Sequence, residues 1–389
     1  MQPQERLCWI QWNQIPQIGA RRIGRLLQVF GSLAAAWQAP LGELAEVLGE
    51  QLAAHVCRLR SRCHGDDQLE RAERMGVEIL TWQDPEYPLL LREIADPPPV
   101  LYRAGVPAPE DVLAVAVVGT RRASEAGRRL AGQIAAGLVE RGVVVVSGLA
   151  LGIDGHAHAA ALKAGGRSLA VLGCGLDLFY PPEHAQLQQE LARHGCLYSP
   201  YPLGTPPYGP NFIARNRIIS GLAWGTVVVE AGSKSGAMVT AAFACQQNRD
   251  VCAVPGDPGR IGSQGCNRLI REGAAAVTSA EEVIQELNLA RLFRWHGSPA
   301  VRAARRQQAG SREGGAARPA LPAPPPPDLP GVSPQVAQAV YEALIEQELT
   351  FDQLLSRCGA AGGGLRRALV EMELRGVVIR VEGGRYRWA

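Results

Sequence analysis

The chain has 389 residues, 47% hydrophobic and 20% charged, with a formal net charge of +3. That is ordinary globular composition with room for two or three domains. The charge total neither requires nor excludes a nucleic-acid partner, because binding depends on where charge lies. Nine cysteines and seven histidines are dispersed without a Cys-x-x-Cys pair, so no zinc site is signalled. The thiols read as buried groups in a reducing compartment. The N-terminus lacks a basic head before an apolar run, and no stretch is long and apolar enough to span a membrane. A cytoplasmic protein without membrane insertion is expected.

Residues 1–75 read as helical. Ile15-Pro-Gln-Ile-Gly19 leads into a stretch whose apolar Ile23, Leu26, Leu27 and Phe30 share a helix face. Gly19 falls where a tight turn or a helix start allows backbone N–H groups to approach an anion. Two readings stand: a helix-hairpin-helix or SAM-like element touching a DNA backbone, and a plain packing module. Pro85, Pro88, Pro97, Pro98 and Pro99 interrupt residues 76–109, which read as a rigid connector and the entry to a new domain.

From residue 110 to 296 the pattern is a doubly wound α/β domain. Near-continuous apolar strands are expected at 112–118, 143–147, 168–172, 226–230 and 251–254, the mark of a parallel sheet covered on both faces. Helices are expected at 125–141 and 155–164. The loops after the strands carry glycine and polar residues, at the edge where such sheets bind ligands. Residues 297–330 read as a disordered basic linker rich in proline and alanine. Seven arginines face two acids over 291–330. Residues 331–389 read as three helices followed by a hairpin, the order of a winged helix. Its balanced charge, seven arginines against seven acids, leaves groove reading and protein contact equally open.

The candidate site lies on the core loops. Gly119 and Arg121 directly follow the first strand, where N–H groups and a guanidinium suit phosphate. Neither a P-loop nor a dinucleotide fingerprint is present, so no cofactor is signalled. Ser147 and Gly148 follow the second strand. Asp154 reads as a cap and loop brace, with His158 as a packing residue, although Asp154 with His156 also admits acid–base work. Two histidines two residues apart point about 200° apart on a helix, which is poor metal geometry. Arg215, Asn216 and Arg217 form the strongest contact cluster, with Arg217 alternatively tying loops together. Lys234 and Ser235 sit in a donor-rich loop at a helix start. Glu230 is expected to fix Arg215 or Lys234 by a salt bridge, or to act on a glycosidic bond. Asn267 bonds either DNA or its own main chain.

These motifs together resemble the bacterial DNA-processing family DprA, also called Smf. They are Gly119-x-Arg121, Ser147-Gly-Leu-Ala-x-Gly-Ile-Asp154 with Ala157-His158, Gly173-x-Gly175 with Tyr180-Pro181, Asn211-Phe-x-x-Arg-Asn-Arg-Ile-Ile219, Ser235-Gly236 with Thr240-Ala241, Val254-Pro-Gly256 and Gly265-x-Asn267. The resemblance covers nearly the whole chain. It implies an extended Rossmann-like core that binds and protects single-stranded DNA, forms homodimers, and helps load RecA recombinase during natural transformation. It also implies an N-terminal helical domain and a C-terminal winged helix. Carried over, the DNA pocket uses Gly119, Arg121, Ser147, Gly148, Arg215, Asn216, Lys234 and Asn267. Three departures stand out: Leu151 where many members have Arg, Pro200 where Glu is common, and Lys234 where Arg is frequent. The chain is thus expected to be non-enzymatic, with a nucleotide-processing hydrolase and a protein-interaction scaffold as the competing readings.

Overall fold

The computed structural model describes residues 2–289, and beyond them 336, 339–340, 343–344, 349–358, 365, 368–369, 372–373, 378–381 and 385–388. The chain divides into two compact units, Met1–Phe293 and Arg294–Ala389. In the first, six helices come before any strand: α1 Pro3–Asn13, α2 Ala20–Phe30, α3 Leu33–Gln38, α4 Leu41–Leu48, α5 Glu50–Leu59 and α6 Gly65–Arg74. Trp9, Trp12, Ile23, Leu26, Leu33 and Leu44 are almost wholly buried among them.

Strands β1 (Val77–Thr81) and β2 (Val100–Gly105) follow, separated by the short helix α7 (Leu89–Arg92). The segment expected as a proline-rich connector is therefore part of the sheet. β1 pairs antiparallel with β2, and β2 with β6. Pro85, Pro88, Pro97, Pro98 and Pro99 lie between the two strands, where no ladder hydrogen bond is needed, and Tyr87 Oη donates to the Pro98 carbonyl at 2.8 Å to close that loop. The helical core continues onto Val77, Ile79, Val100 and Tyr102, so helices and sheet edge share one apolar cluster.

The rest of the unit alternates: β3 Ala114–Val118, α8 Glu125–Glu140, β4 Val144–Ser147, α9 Ile153–Lys163, β5 Ser168–Val171, α10 Ala185–His194, β6 Cys196–Ser199, α11 Gly209–Gly221, β7 Gly225–Val228, α12 Gly236–Gln246, β8 Asp250–Ala253, α13 Gln264–Arg271, β9 Ala275–Ala276 and α14 Ala280–Glu286. The nine strands run in the order β1-β2-β6-β5-β4-β3-β7-β8-β9, parallel from β6 onward. Side chains of β3 alternate between faces. Val115 and Val117 pack with Ile134, Leu138 and Ala157 of α8 and α9, whereas Ala114, Ala116 and Val118 pack with Ile218, Ile219 and Ala241 of α11 and α12. Strand order reverses between β3 and β7, so the loops after these two strands diverge and open a crevice at their carboxyl ends.

In the second unit, β10 (Leu349–Thr350), α15 (Phe351–Cys358), β11 (Val378–Val381) and β12 (Arg385–Trp388) are described. β12 lies centrally, antiparallel to both β10 and β11. Val340, Leu344, Leu354, Leu365, Leu369 and Met372 form its core. This is a winged-helix arrangement, with the expected hairpin present. The linker expected over 297–330 lies outside the described residues. Among the described residues no helix is long and apolar enough to cross a membrane.

Candidate functional site

The crevice after β3 and β7 is an open cleft of about 560 Å³. Its walls are the Gly119–Arg122 loop, the first turns of α11, and the Gly232–Ala237 segment that starts α12, with Ile261 at its mouth. Four cationic side chains line it: Arg121, Arg122, Arg215 and Lys234. The single carboxylate among its lining residues is Asp154.

Arg121, Arg122 and Lys234 are exposed, and no ion pair engages them among the described residues. The Arg121 guanidinium lies 5.6 Å from the centre of the Phe212 ring, and that of Arg215 lies 5.7 Å from the same ring. Tyr180 packs on Phe212 at 5.2 Å. Room for this aromatic comes from Gly173, where an added Cβ would stand 2.6 Å from the ring.

Arg215 is only 3% exposed. Its Nη1 donates to the Gly148 carbonyl at 2.9 Å and also to the Val171 carbonyl, and its Nε donates to Asn216 Oδ1 at 3.3 Å. Burial lowers its pKa to about 10, opposed by the nearby Asp154 charge, so it stays cationic at neutral pH. It therefore acts as a brace beneath the cleft and a fixed positive charge in its floor. Asn216 bridges to the Gly236 carbonyl through Nδ2 at 3.2 Å, which couples α11 to the start of α12. Ser235 caps α12 by accepting from the Ala237 N–H at 3.3 Å.

Asp154 lies inside α9, one residue beyond its first, and does not cap it. Its two oxygens accept from Gly119 N–H at 3.3 Å and Gly148 N–H at 3.1 Å, so one carboxylate ties together the loops after β3 and β4. Burial raises its pKa, while Arg215 and the two N–H donors oppose that shift. His158 is buried with Nδ1 2.7 Å from Ser168 Oγ. Burial, with the charges of His184 and Arg215, drives its pKa down to about 3, which keeps it neutral at physiological pH.

Several expected site residues stand elsewhere. Arg217, two positions beyond Arg215 on a helix, points to the other side. It donates to the Asp96 carbonyl at 2.7 Å and pairs with the Asp96 carboxylate at 3.4 Å, the loop-tying alternative. Ser147 is fully buried and donates to the Val117 carbonyl at 2.6 Å, bracing β4 to β3. Asn267 spends its amide on the main chain of Gly256, accepting at 3.1 Å and donating at 2.8 Å. Glu230 pairs with neither Arg215 nor Lys234. Its Oε2 accepts from Ser124 N–H at 3.0 Å and Oγ at 2.7 Å, which fixes the entry to α8. Glycosidic chemistry would need a carboxylate free to face the cleft. Glu230 is not among the lining residues, and Asp154 has both oxygens engaged. Arg122, Ile213 and Ile261 line the cleft without having been expected there. Arg122 was legible as the neighbour of Arg121, and Ile261 stands in the polar, glycine-rich stretch from Pro255 to Asn267, whose composition suits the rim of a site.

Fold and cleft together define a Rossmann-like α/β protein with an open cationic cleft at its topological switch point, followed by a winged-helix unit. The family model described as DNA recombination-mediator protein A matches residues 78–288, and the DprA winged helix domain model matches residues 319–384. Protein Smf of Synechocystis sp. is 35% identical over 98% of both chains. A putative DNA processing protein DprA of Mycobacterium tuberculosis is 38% identical over 72% of this chain and 74% of its own. The X-ray structure of DNA processing protein A from Streptococcus pneumoniae superposes with a TM-score of 0.63 at 35% identity, covering 74% of this chain and 98% of that one. The chain belongs to the DNA recombination-mediator protein A family, the DprA or Smf proteins.

Proposed function

We propose that the chain binds single-stranded DNA through its phosphate backbone in this cleft, protects the strand, and helps load RecA onto it during natural transformation. The observation that carries the reading is the set of exposed cations without acidic partners, Arg121, Arg122 and Lys234, over the fixed charge of Arg215. Membership of a DNA-processing family supports the polymer, and the geometry supports contact with its phosphates. Phe212 is the one aromatic side chain lining the cleft, so base stacking is limited and sequence preference is weak. The protein works without turnover as a cytoplasmic homodimer formed through the core, which places two clefts on one strand and raises avidity.

Two measurements test this. Competition between a labelled strand and unlabelled duplex of equal length should show strand preference. Addition of the protein to strands coated with single-strand-binding protein should shorten the lag of RecA filament growth. Equal binding of strand and duplex by the cleft, or an unchanged lag with bound protein present, contradicts the respective half of the proposal.

A further inference from the structure

A second surface, away from the cleft, also keeps cations without neutralising partners. Helix α2 buries Ala20, Ile23 and Leu26 and exposes Arg21, Arg22 and Arg25. The sequence has no acidic residue between Glu5 and Glu43. No ion pair engages the three arginines among the described residues. Arg22 Nη1 donates to the Gln17 carbonyl at 2.6 Å, which holds that guanidinium over the turn before the helix.

Folding stability argues against this arrangement. All three arginines fall in the first turn and a half of α2, at the positive end of the helix dipole, where cations are disfavoured. Arg21 and Arg25 form a like-charge pair at i,i+4. The turn adds donors of its own. Gly19 is the N-cap, and no side chain caps the helix. Nothing lies within 4 Å of a Cβ built at Gly19 or Gly24, so the backbone is open to close approach.

We infer that this face of α2 binds the phosphate backbone of duplex DNA, as a nucleic-acid contact separate from the cleft. The exposed residues from Pro16 to Val29 are proline, glutamine, glycine, arginine and valine. They offer no aromatic platform of the kind an unstacked strand uses, and suit the regular phosphate rails of a duplex. The apolar side of α2 is buried in the helical core, so the helix has no face to insert into a lipid surface. The inference stands without the strand-binding reading.

The test uses the full chain and its triple variant Arg21→Gln, Arg22→Gln, Arg25→Gln. Anisotropy is read on a labelled duplex and a labelled strand of equal length, each across a salt series. The exposed substitutions should keep the fold and raise the thermal melt slightly, since they remove cations disfavoured at the helix N-terminus. Duplex affinity should fall about tenfold at low salt, and the slope of log affinity against log salt should flatten by about 2 to 3, as loss of three phosphate contacts requires. Strand affinity should hold. The paired variant Arg121→Gln, Lys234→Gln should do the reverse, which separates failure of this inference from failure of the cleft reading. An unchanged duplex slope in a folded triple variant overturns the inference. So does equal loss on strand and duplex, or duplex binding too weak to measure in the parent at low salt, and an acidic protein would then be the partner to seek.

Discussion

Arg215 and Lys234 carry the same charge in the same cleft and do different work. Arg215 satisfies two carbonyls in the interior and balances Asp154. Replacing it by leucine would orphan those carbonyls and leave a buried carboxylate facing apolar atoms. We expect a loss of roughly 3 kcal/mol in chemical denaturation. Lys234 touches solvent, so Lys234→Gln should change stability by less than about 0.5 kcal/mol and flatten the salt slope of strand binding by about 1. His158 gives a pH signature. Its folded-state pKa of about 3 lies below the ordinary value near 6.5, so the unfolded chain binds the extra proton between those limits. Stability from this group is complete above about pH 6.5 and falls as pH drops toward 3, by about 1.4 kcal/mol per unit. Unfolding free energies of the parent and His158→Asn across that window should converge on the acid side. Parallel curves would show that another group sets the slope.

At the scale of elements, the cleft depends on α11 and on the two loops that part after β3 and β7. α11 carries Phe212, Arg215 and Asn216 to the cleft and turns Arg217 to the Asp96 loop. Helical rotation alone separates Arg215 from Arg217, so their different placement was readable from spacing. The roles of Ser147, Asn267 and Glu230 were not. Each has a chemistry compatible with a ligand, and only the tertiary neighbours Val117, Gly256 and Ser124 show that their hydrogen bonds are already spent. The apolar, β-branched strands β3 and β4 and helix α8 were legible because both faces of the sheet are covered. β6 reads Cys-Leu-Tyr-Ser, without the β-branched run that marks the other strands. β1 and β2 were masked by the prolines of the loop joining them. Glu230 belongs to this scale too. Glu230→Gln keeps one acceptor toward Ser124, so it should cost about 1 kcal/mol of stability and leave strand binding intact. A collapse of binding without loss of fold would return Glu230 to the ligand site.

For the whole molecule, function follows from where charge is left unpaid. A net charge of +3 says little, yet the cleft gathers four cations around one engaged carboxylate, and α2 displays three arginines that no ion pair engages among the described residues. Elsewhere arginines are consumed by the fold: Arg6 with Asp84, Arg71 with Asp177, Arg167 with Asp111 and Arg249 with Glu93. The central claim is that the cations left unpaired at the switch point hold a strand by its phosphates. The most direct measurement is equilibrium binding of a labelled single strand by the full chain and by Arg121→Gln, Lys234→Gln, across a salt series. The account predicts weaker binding of every strand sequence alike, with a slope flatter by about 2. An unchanged affinity and slope in the folded variant would contradict it.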